Sequence, residues 1–191
     1  MAEIIKDGTG DNYSAKVDSN NRLHTKSVTE TNFEDAVSMG NGYSYNTGII
    51  NLTSDNESAI LYIKNNSDKI MHIQTSIVQI GKSTNGTTTD IVATSYFNPT
   101  GGTIISDASA AIVSNFNLSS SNQFAGDTYK GAEGKTLTGG VTLQDLFISP
   151  SREELISFLQ LPKGQSIGLS FTPPSGNTSI NVQWQVFFHE E

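Results

Sequence analysis

Apolar and polar residues alternate along residues 179–188 of this chain. One face of the run carries large apolar side chains and the other carries amides: Ile180, Val182, Trp184 and Val186 against Asn181, Gln183 and Gln185. Alternation with a period of two is typical of a β-strand that is buried on one face. The run therefore predicts a half-buried strand with Trp184 in the core.

Residues 71–80 form a second alternating run, which follows the apolar run 58–64 after a turn rich in Asn, Ser and Asp. The face predicted to be buried carries Met71, Ile73, Thr75 and Ile77. The pattern shifts between residues 78 and 80, which predicts a bulge or a strand end there. Residues 91–97 and 166–172 indicate further strands.

The pattern of residues 151–161 is compatible with a helix and with a strand. Ser151 and Glu154 have the spacing of a capping box, and Leu155, Phe158 and Leu159 have helical spacing. The same residues also alternate as a strand that leads into the turn 162–164. The strand is favoured because the segments around it have β character, and the helix remains the alternative.

Composition agrees with an all-β domain. Ser, Thr and Asn are abundant, beside 17 Gly. Ser and Asn compete locally for backbone hydrogen bonds, and Thr is β-branched, so these residues favour turns and strands over helices. A length of 191 residues suits one domain with an additional arm.

The first 30 residues differ from the rest because they contain few aliphatic side chains. Residues 13–17 and 22–25, on either side of the turn 18–21, indicate a small hairpin. An isolated hairpin is marginal in water, so this arm is expected to dock on its own domain or on another subunit. Its apolar anchors would be Ile4, Ile5, Tyr13, Val17 and Leu23.

Residues 98–140 form a loop-rich insertion in the predicted domain 31–191. The insertion carries apolar side chains in short clusters: Ile104, Ile105, Ile112, Val113, Phe116, Leu118 and Phe124. They are too many to leave in water, and the regular runs around them are too few to bury them within one sandwich. We therefore expect them to make contacts between subunits of a homotrimer.

The charge balance excludes several partners. The formal net charge is −8, which argues against binding to nucleic acid or to an anionic membrane surface. The absence of Cys excludes disulfides, thiolate zinc sites and cysteine nucleophiles. No stretch has the apolar length of a signal peptide or of a transmembrane helix, so assembly inside the host cytoplasm is expected.

The sequence contains no motif of a catalytic or cofactor site. Three histidines, His24, His72 and His189, lie far apart and have none of the spacings of a zinc motif. They are expected to be satisfied or exposed side chains, with a three-ligand site formed in space as the alternative. The pair Glu190–Glu191 is interpreted as solvated. We therefore expect no enzyme, no cofactor and no metal.

Several short segments of the sequence resemble segments of virion structural proteins of tailed bacteriophages. They lie at Asp7–Thr25, Phe97–Thr103, Tyr129–Gly134, Leu161–Ser166 and Thr172–Asn177. Among those proteins the chain looks most like capsid decoration, or cement, proteins. The resemblance implies an antiparallel β-sandwich, jelly-roll-like and trimeric, that stands on the surface of the virion head.

These observations together predict a decoration protein that binds the major capsid protein and clamps neighbouring capsid subunits with its N-terminal arm. A head fibre or tail adhesin, which would bind host carbohydrate through exposed aromatic side chains between residues 98 and 140, is the alternative.

Overall fold

The computed structural model describes residues 31–81, 91–148, 159–176 and 179–191 with their side chains. For strands β1 (Lys16–Val17), β2 (Leu23–His24) and β12 (Arg152–Ile156) it describes the backbone. The chain divides into two units, residues 1–31 and 32–191. In the first unit β1 and β2 pair antiparallel, with Lys16 opposite His24 and Val17 opposite Leu23, as the hairpin pattern predicts.

The second unit is built from strands, with two short helices, α1 (Asn32–Ser38) and α2 (Thr103–Ser106). Among the described residues, neither helix is long and apolar enough to cross a membrane. In chain order the other strands are β3 (Gly42–Asn46), β4 (Ile50–Leu52), β5 (Ser58–Asn65), β6 (Met71–Ile80), β7 (Ile91–Phe97), β8 (Ser109–Ala110), β9 (Val113–Asn115), β10 (Gly126–Lys130), β11 (Val141–Ile148), β13 (Leu159–Leu161), β14 (Ser166–Thr172) and β15 (Ile180–Glu190).

Two antiparallel sheets pack against each other. One has the strand order β11-β7-β14-β5-β10-β8, and the other has the order β12-β6-β15-β3-β9, with β13 beside β6 and β4 beside β15. Without the short strands of the insertion, the orders are β11-β7-β14-β5 and β12-β6-β15-β3. The long strands β3, β5, β6 and β7 alternate between the two sheets. β11 then pairs with β7 in the same sheet, and β12, β14 and β15 alternate again, which is the topology of a jelly roll. The predicted all-β sandwich is therefore confirmed.

The core lies between the inner faces of the two sheets. The predicted alternation of β15 is confirmed, because Ile180, Val182, Trp184 and Val186 are all buried. Trp184 meets Phe171 of the opposite sheet, with ring centroids 5.3 Å apart. Each buried side chain of this size contributes about 1.5–3 kcal/mol through the apolar area that it removes from water.

Strand β6 changes face earlier than its sequence pattern predicts. Thr75 pairs with Phe187, but the next residue of β15, Phe188, pairs with Ile73, so Gln74 is the extra residue of a β-bulge. After the bulge the core-facing residues are Ser76, Val78 and Ile80. The prediction that Thr75 and Ile77 face the core is therefore wrong, because one inserted residue reverses the alternation.

Residues 152–156 and 159–161 are strands, β12 and β13, and both pair with β6. The strand interpretation of the segment is confirmed. A strand here lies beside β6 at one side of its sheet, where β6 offers a row of backbone groups that a helix could not satisfy.

The insertion between β7 and β11 extends both sheets. Its strand β10 pairs with β5 in one sheet, and its strand β9 pairs with β3 in the other. Helix α2 follows β7 and places Ile104 on the outer face of β5, where Ile104 packs with Ala59 and Tyr62. The insertion therefore buries part of its own apolar surface within the chain.

Candidate functional site

Two histidines that are far apart in sequence meet on the outer face of the seven-stranded sheet. His189 of β15 lies directly opposite His72 of β6 in the antiparallel ladder. Their neighbours Phe188 and Ile73 point into the core, so both imidazoles project from the opposite face. The two rings are stacked, with centroids 4.9 Å apart and planes 10° apart.

Glu191 brings a carboxylate to the pair. Its backbone exchanges hydrogen bonds of 2.9 and 3.0 Å with Ile70, which continues the ladder by one pair beyond Met71 and Glu190. Glu191 therefore lies on the same face as the histidines. Its Oε1 is 3.2 Å from Nε2 of His189, and its Oε2 is 3.6 Å from Nε2 of His72.

His189 is buried although it projects from the outer face. Helix α1 lies over it, and the edge of the Phe33 ring meets the imidazole with centroids 5.9 Å apart. Burial lowers the pKa of His189 below its ordinary value, and the neighbouring His72 lowers it further, against the opposite effect of Glu191. The Nδ1 atom of His189 has no hydrogen-bond partner among the described residues.

An aromatic cluster extends from this site along the same face. Phe33 meets Phe116 edge to face at 5.8 Å, and Phe116 stacks on Phe187 at 5.6 Å. These contacts lie within one chain, so Phe116 is partly used for packing α1 and the insertion against the sheet. It keeps enough exposed surface for a further contact.

Glu190, between the two outward-facing residues, is buried on the inner face. The interpretation of Glu190–Glu191 as a solvated pair is therefore wrong for its first member. Burial raises the pKa of the nearby Tyr43 to about 12, and the charge of Glu190 and its hydrogen bond raise it as well. The alternation of a strand explains why adjacent carboxylates have such different surroundings.

The predicted subunit contacts of the insertion fall into two groups. Ile104 is fully buried on its own chain, and Ile105 and Val113 are partly buried against the two core clusters. Ile104 therefore has no exposed surface for a contact with another subunit. The prediction that one sandwich could not bury this side chain is wrong. Ile112 and Leu118, by contrast, are 85% and 96% exposed.

The predicted anchors of the arm lie in the first unit. Ile4, Ile5 and Tyr13 lie outside the described residues. Val17 and Leu23 are opposite each other in the β1–β2 ladder.

A groove lies on the outer face of the six-stranded sheet. Its wall contains Tyr62 and Tyr129, whose rings stack with centroids 5.5 Å apart and planes 12° apart. Polar groups of Lys64, Asp127 and Asn98 line the same cavity, which has a volume of about 480 Å³. Tyr62 is buried and Tyr129 is partly exposed, so Tyr129 is the aromatic side chain of this groove that a ligand could reach.

Strand β11 forms one edge of the same sheet, and no strand pairs with its other side in the described part of the chain. Three of its large apolar side chains are exposed, namely Val141, Leu143 and Phe147. An apolar edge strand is a surface at which another chain can add a strand.

No family model, curated protein or solved structure matches this chain. The function is therefore argued from the fold and from the surfaces described above.

Proposed function

We propose that this chain is a capsid decoration protein of a tailed bacteriophage. It is a non-enzymatic virion protein that binds the outer surface of the head, as a homotrimer, and stabilises contacts between subunits of the major capsid protein. The observation that carries the proposal is the exposed apolar surface of the insertion, above all Ile112 and Leu118. Large apolar side chains left almost fully in water are suited to a contact with another subunit.

Three further features support this role. The jelly roll is an architecture that viral capsid proteins use. The segments Phe97–Thr103 and Leu161–Ser166 connect elements of this fold, and they resemble segments of virion structural proteins. The N-terminal hairpin belongs to a unit separate from the sandwich, as a capsid-binding arm requires.

The mechanism is thermodynamic linkage. A protein that binds the assembled, expanded shell more tightly than its free subunits stabilises the shell in proportion to its occupancy. A trimer gains further affinity because its second and third contacts form at a high effective concentration. Such a protein needs contact surfaces rather than a catalytic site.

Sedimentation of the protein with expanded capsids of the same phage tests the proposal. We expect binding at a copy number on the order of that of the major capsid protein, and a higher melting temperature of the shell. Leu118→Ser should weaken trimer formation and shell binding, whereas Ile49→Ser, which changes an exposed isoleucine outside the insertion, should not. Failure of the wild-type chain to bind capsids would contradict the proposal.

A host-attachment module is the second candidate, and the groove of Tyr62 and Tyr129 favours it. Titration with a panel of cell-surface oligosaccharides tests this candidate. A bound sugar should be lost in Tyr129→Ala and retained in Phe147→Ala, which removes an exposed aromatic ring from a different part of the sheet. Sugar binding together with only a few copies per virion would favour this candidate over decoration.

A further inference from the structure

We propose that His72, His189 and Glu191 form a binding site for a divalent transition-metal ion, and that zinc is the ion it prefers. The inference is independent of the proposed role on the capsid. It rests on the register of one ladder, on the distances between three side chains and on their ligand chemistry.

The three ligand atoms lie almost close enough together to share one ion, because two ligands at about 2.1 Å from an ion can be at most about 4.2 Å apart. All are within 4.8 Å of one another. Zinc binds imidazole nitrogen and carboxylate oxygen at about 2.0–2.2 Å, and two ligands at that distance on a tetrahedron are roughly 3.4 Å apart. Nε2 of His189 is 3.2 Å from Oε1 of Glu191, and Nε2 of His72 is 3.6 Å from Oε2, so each histidine lies at about that distance from one oxygen of the carboxylate.

The donor set selects the class of ion. Calcium and magnesium prefer sites made of oxygen ligands, whereas two imidazoles with one carboxylate suit zinc and its neighbours in the first transition series. Nε2 of each histidine faces the carboxylate of Glu191, and a bound ion takes the place of the proton between Nε2 of His189 and Oε1, which is released. Three protein ligands leave one position for water or for a donor from another molecule.

The backbone places the ligands before any ion binds. His72 and His189 form one cross-strand pair, and Glu191 and Ile70 exchange hydrogen bonds two residues further along. All three side chains therefore project from one face by the period of the strand. An ion held there connects β6 to β15, the two central strands of their sheet, and its structural effect is to hold them together.

One movement is needed for the ion to bind. A metal ion lies near the plane of each imidazole that ligates it, and the two rings are now stacked almost parallel. The side chain of His189 is 4% exposed and packs against Phe33, whereas that of His72 is 21% exposed. We therefore expect His72 to turn about its χ2 angle while His189 keeps its place.

Calorimetric titration of the full chain with ZnCl₂, after treatment with EDTA and removal of the chelator, tests the site. We expect one ion per chain, a dissociation constant in the micromolar range or lower, and a melting temperature that rises with zinc. His72→Ala and Glu191→Gln should each weaken binding by at least about tenfold, the range seen when support of a metal ligand is lost. Neither change removes a core side chain, and circular dichroism checks that each variant is folded.

His24→Ala is the matched control, because it removes the third histidine, which belongs to the N-terminal unit. It should bind zinc like the wild type. Absence of zinc binding by the wild type would overturn the proposal. Binding of zinc by His72→Ala and Glu191→Gln with the affinity of the wild type would overturn it as well. An equal rise of the melting temperature with MgCl₂ or CaCl₂ would also overturn the assignment to a transition metal.

Discussion

The carboxylate of Glu133 joins the insertion to the loop after β4. It accepts hydrogen bonds from the backbone N–H groups of Thr53 and Ser54, at 2.6 and 2.5 Å, and from the hydroxyl of Thr53. Desolvation raises the pKa of Glu133, but these hydrogen bonds together outweigh it and hold the pKa below its ordinary value. The ionised form is therefore the one that the fold favours.

Glu133→Gln should lower the free energy of unfolding by about 1 kcal/mol at pH 7, since an amide accepts these hydrogen bonds less strongly than a carboxylate. The pKa of Glu133 is lower in the folded state, so its contribution is present above the pKa of the unfolded chain. It is lost as the pH falls through the folded pKa. Urea unfolding at pH 7 and at acidic pH should show the difference between variant and wild type disappear on acidification.

Asp55→Asn is the control for that experiment. Asp55 is an exposed carboxylate near the same loop, and it has no hydrogen bond or ion pair among the described residues. Its substitution should leave the unfolding free energy unchanged at both pH values. An equal loss in both variants would attribute the effect to overall charge instead of the Glu133 contacts.

Trp184 is the largest buried side chain of the core. Its indole N–H donates to the hydroxyl of Ser76, and its backbone N–H donates to the hydroxyl of Thr47 at 2.9 Å. Trp184→Ala should lower the free energy of unfolding by about 3–5 kcal/mol through the lost contacts and the cavity. Guanidinium unfolding followed by circular dichroism measures this loss.

Met39→Ala, which truncates an exposed side chain, is the comparison for Trp184 and should change stability little. An unchanged melting temperature in Trp184→Ala, together with a loss of sugar binding, would instead favour the host-attachment candidate.

At the scale of secondary-structure elements, the insertion depends on close backbone approach. The N–H of Gly131 donates to the carbonyl of Ile60 at 3.0 Å, directly after β10. A Cβ at Gly131 would lie 1.9 Å from the carbonyl oxygen of Ala59 and 2.5 Å from Cα of Ile60. Both of these are backbone atoms of β5, so the insertion would have to move away from the strand.

Gly131→Ala should therefore destabilise the domain by roughly 1–3 kcal/mol, the usual cost of overpacking. It should also increase amide exchange in β10 before it does so in β15. In Gly134→Ala the Cβ meets no atom within 4 Å, and the cost is only the positive φ of 75°. Amide exchange followed by mass spectrometry separates the two effects, and unchanged protection of β10 in Gly131→Ala would contradict this reading of the contact.

The strands also show where the local pattern of apolar and polar residues is sufficient to predict a strand and its buried face. β15 was predicted with its buried face, because its alternation is uninterrupted and the extra residue of the bulge belongs to β6. β6 was predicted as a strand, but its second half was assigned to the wrong face, because the bulge at Gln74 is defined by pairing with β15. For residues 151–161 the strand was favoured, yet periodicity alone could not exclude a helix.

At the scale of the whole molecule, the separation of the first unit motivates a truncation. A chain without residues 1–25 should keep the melting temperature of the sandwich and lose binding to capsids. The reason is that the core of the second unit is complete within residues 32–191. Differential scanning calorimetry and sedimentation with capsids measure the two effects, and unfolding of the shortened chain would mean that the arm belongs to the core.

The exposed residues of the insertion motivate a prediction about assembly. In dilute solution we expect a homotrimer with three times the chain mass of 20.5 kDa, which is about 62 kDa. Burial of Ile112 and Leu118 between subunits would supply part of the driving force. Light scattering measures the mass, and a strictly monomeric species of 20.5 kDa would contradict the prediction.

By itself the sequence determined that the chain is an all-β sandwich with Trp184 in its core and a hairpin before it. Those properties follow from alternation and turn residues, which are local along the chain. Only the tertiary structure decided which distant residues meet. Ile104 is buried because α2 happens to lie on β5, and His72 meets His189 because of the register between β6 and β15. A slip of one residue would turn either histidine into the core, so no spacing in the sequence could reveal the cluster.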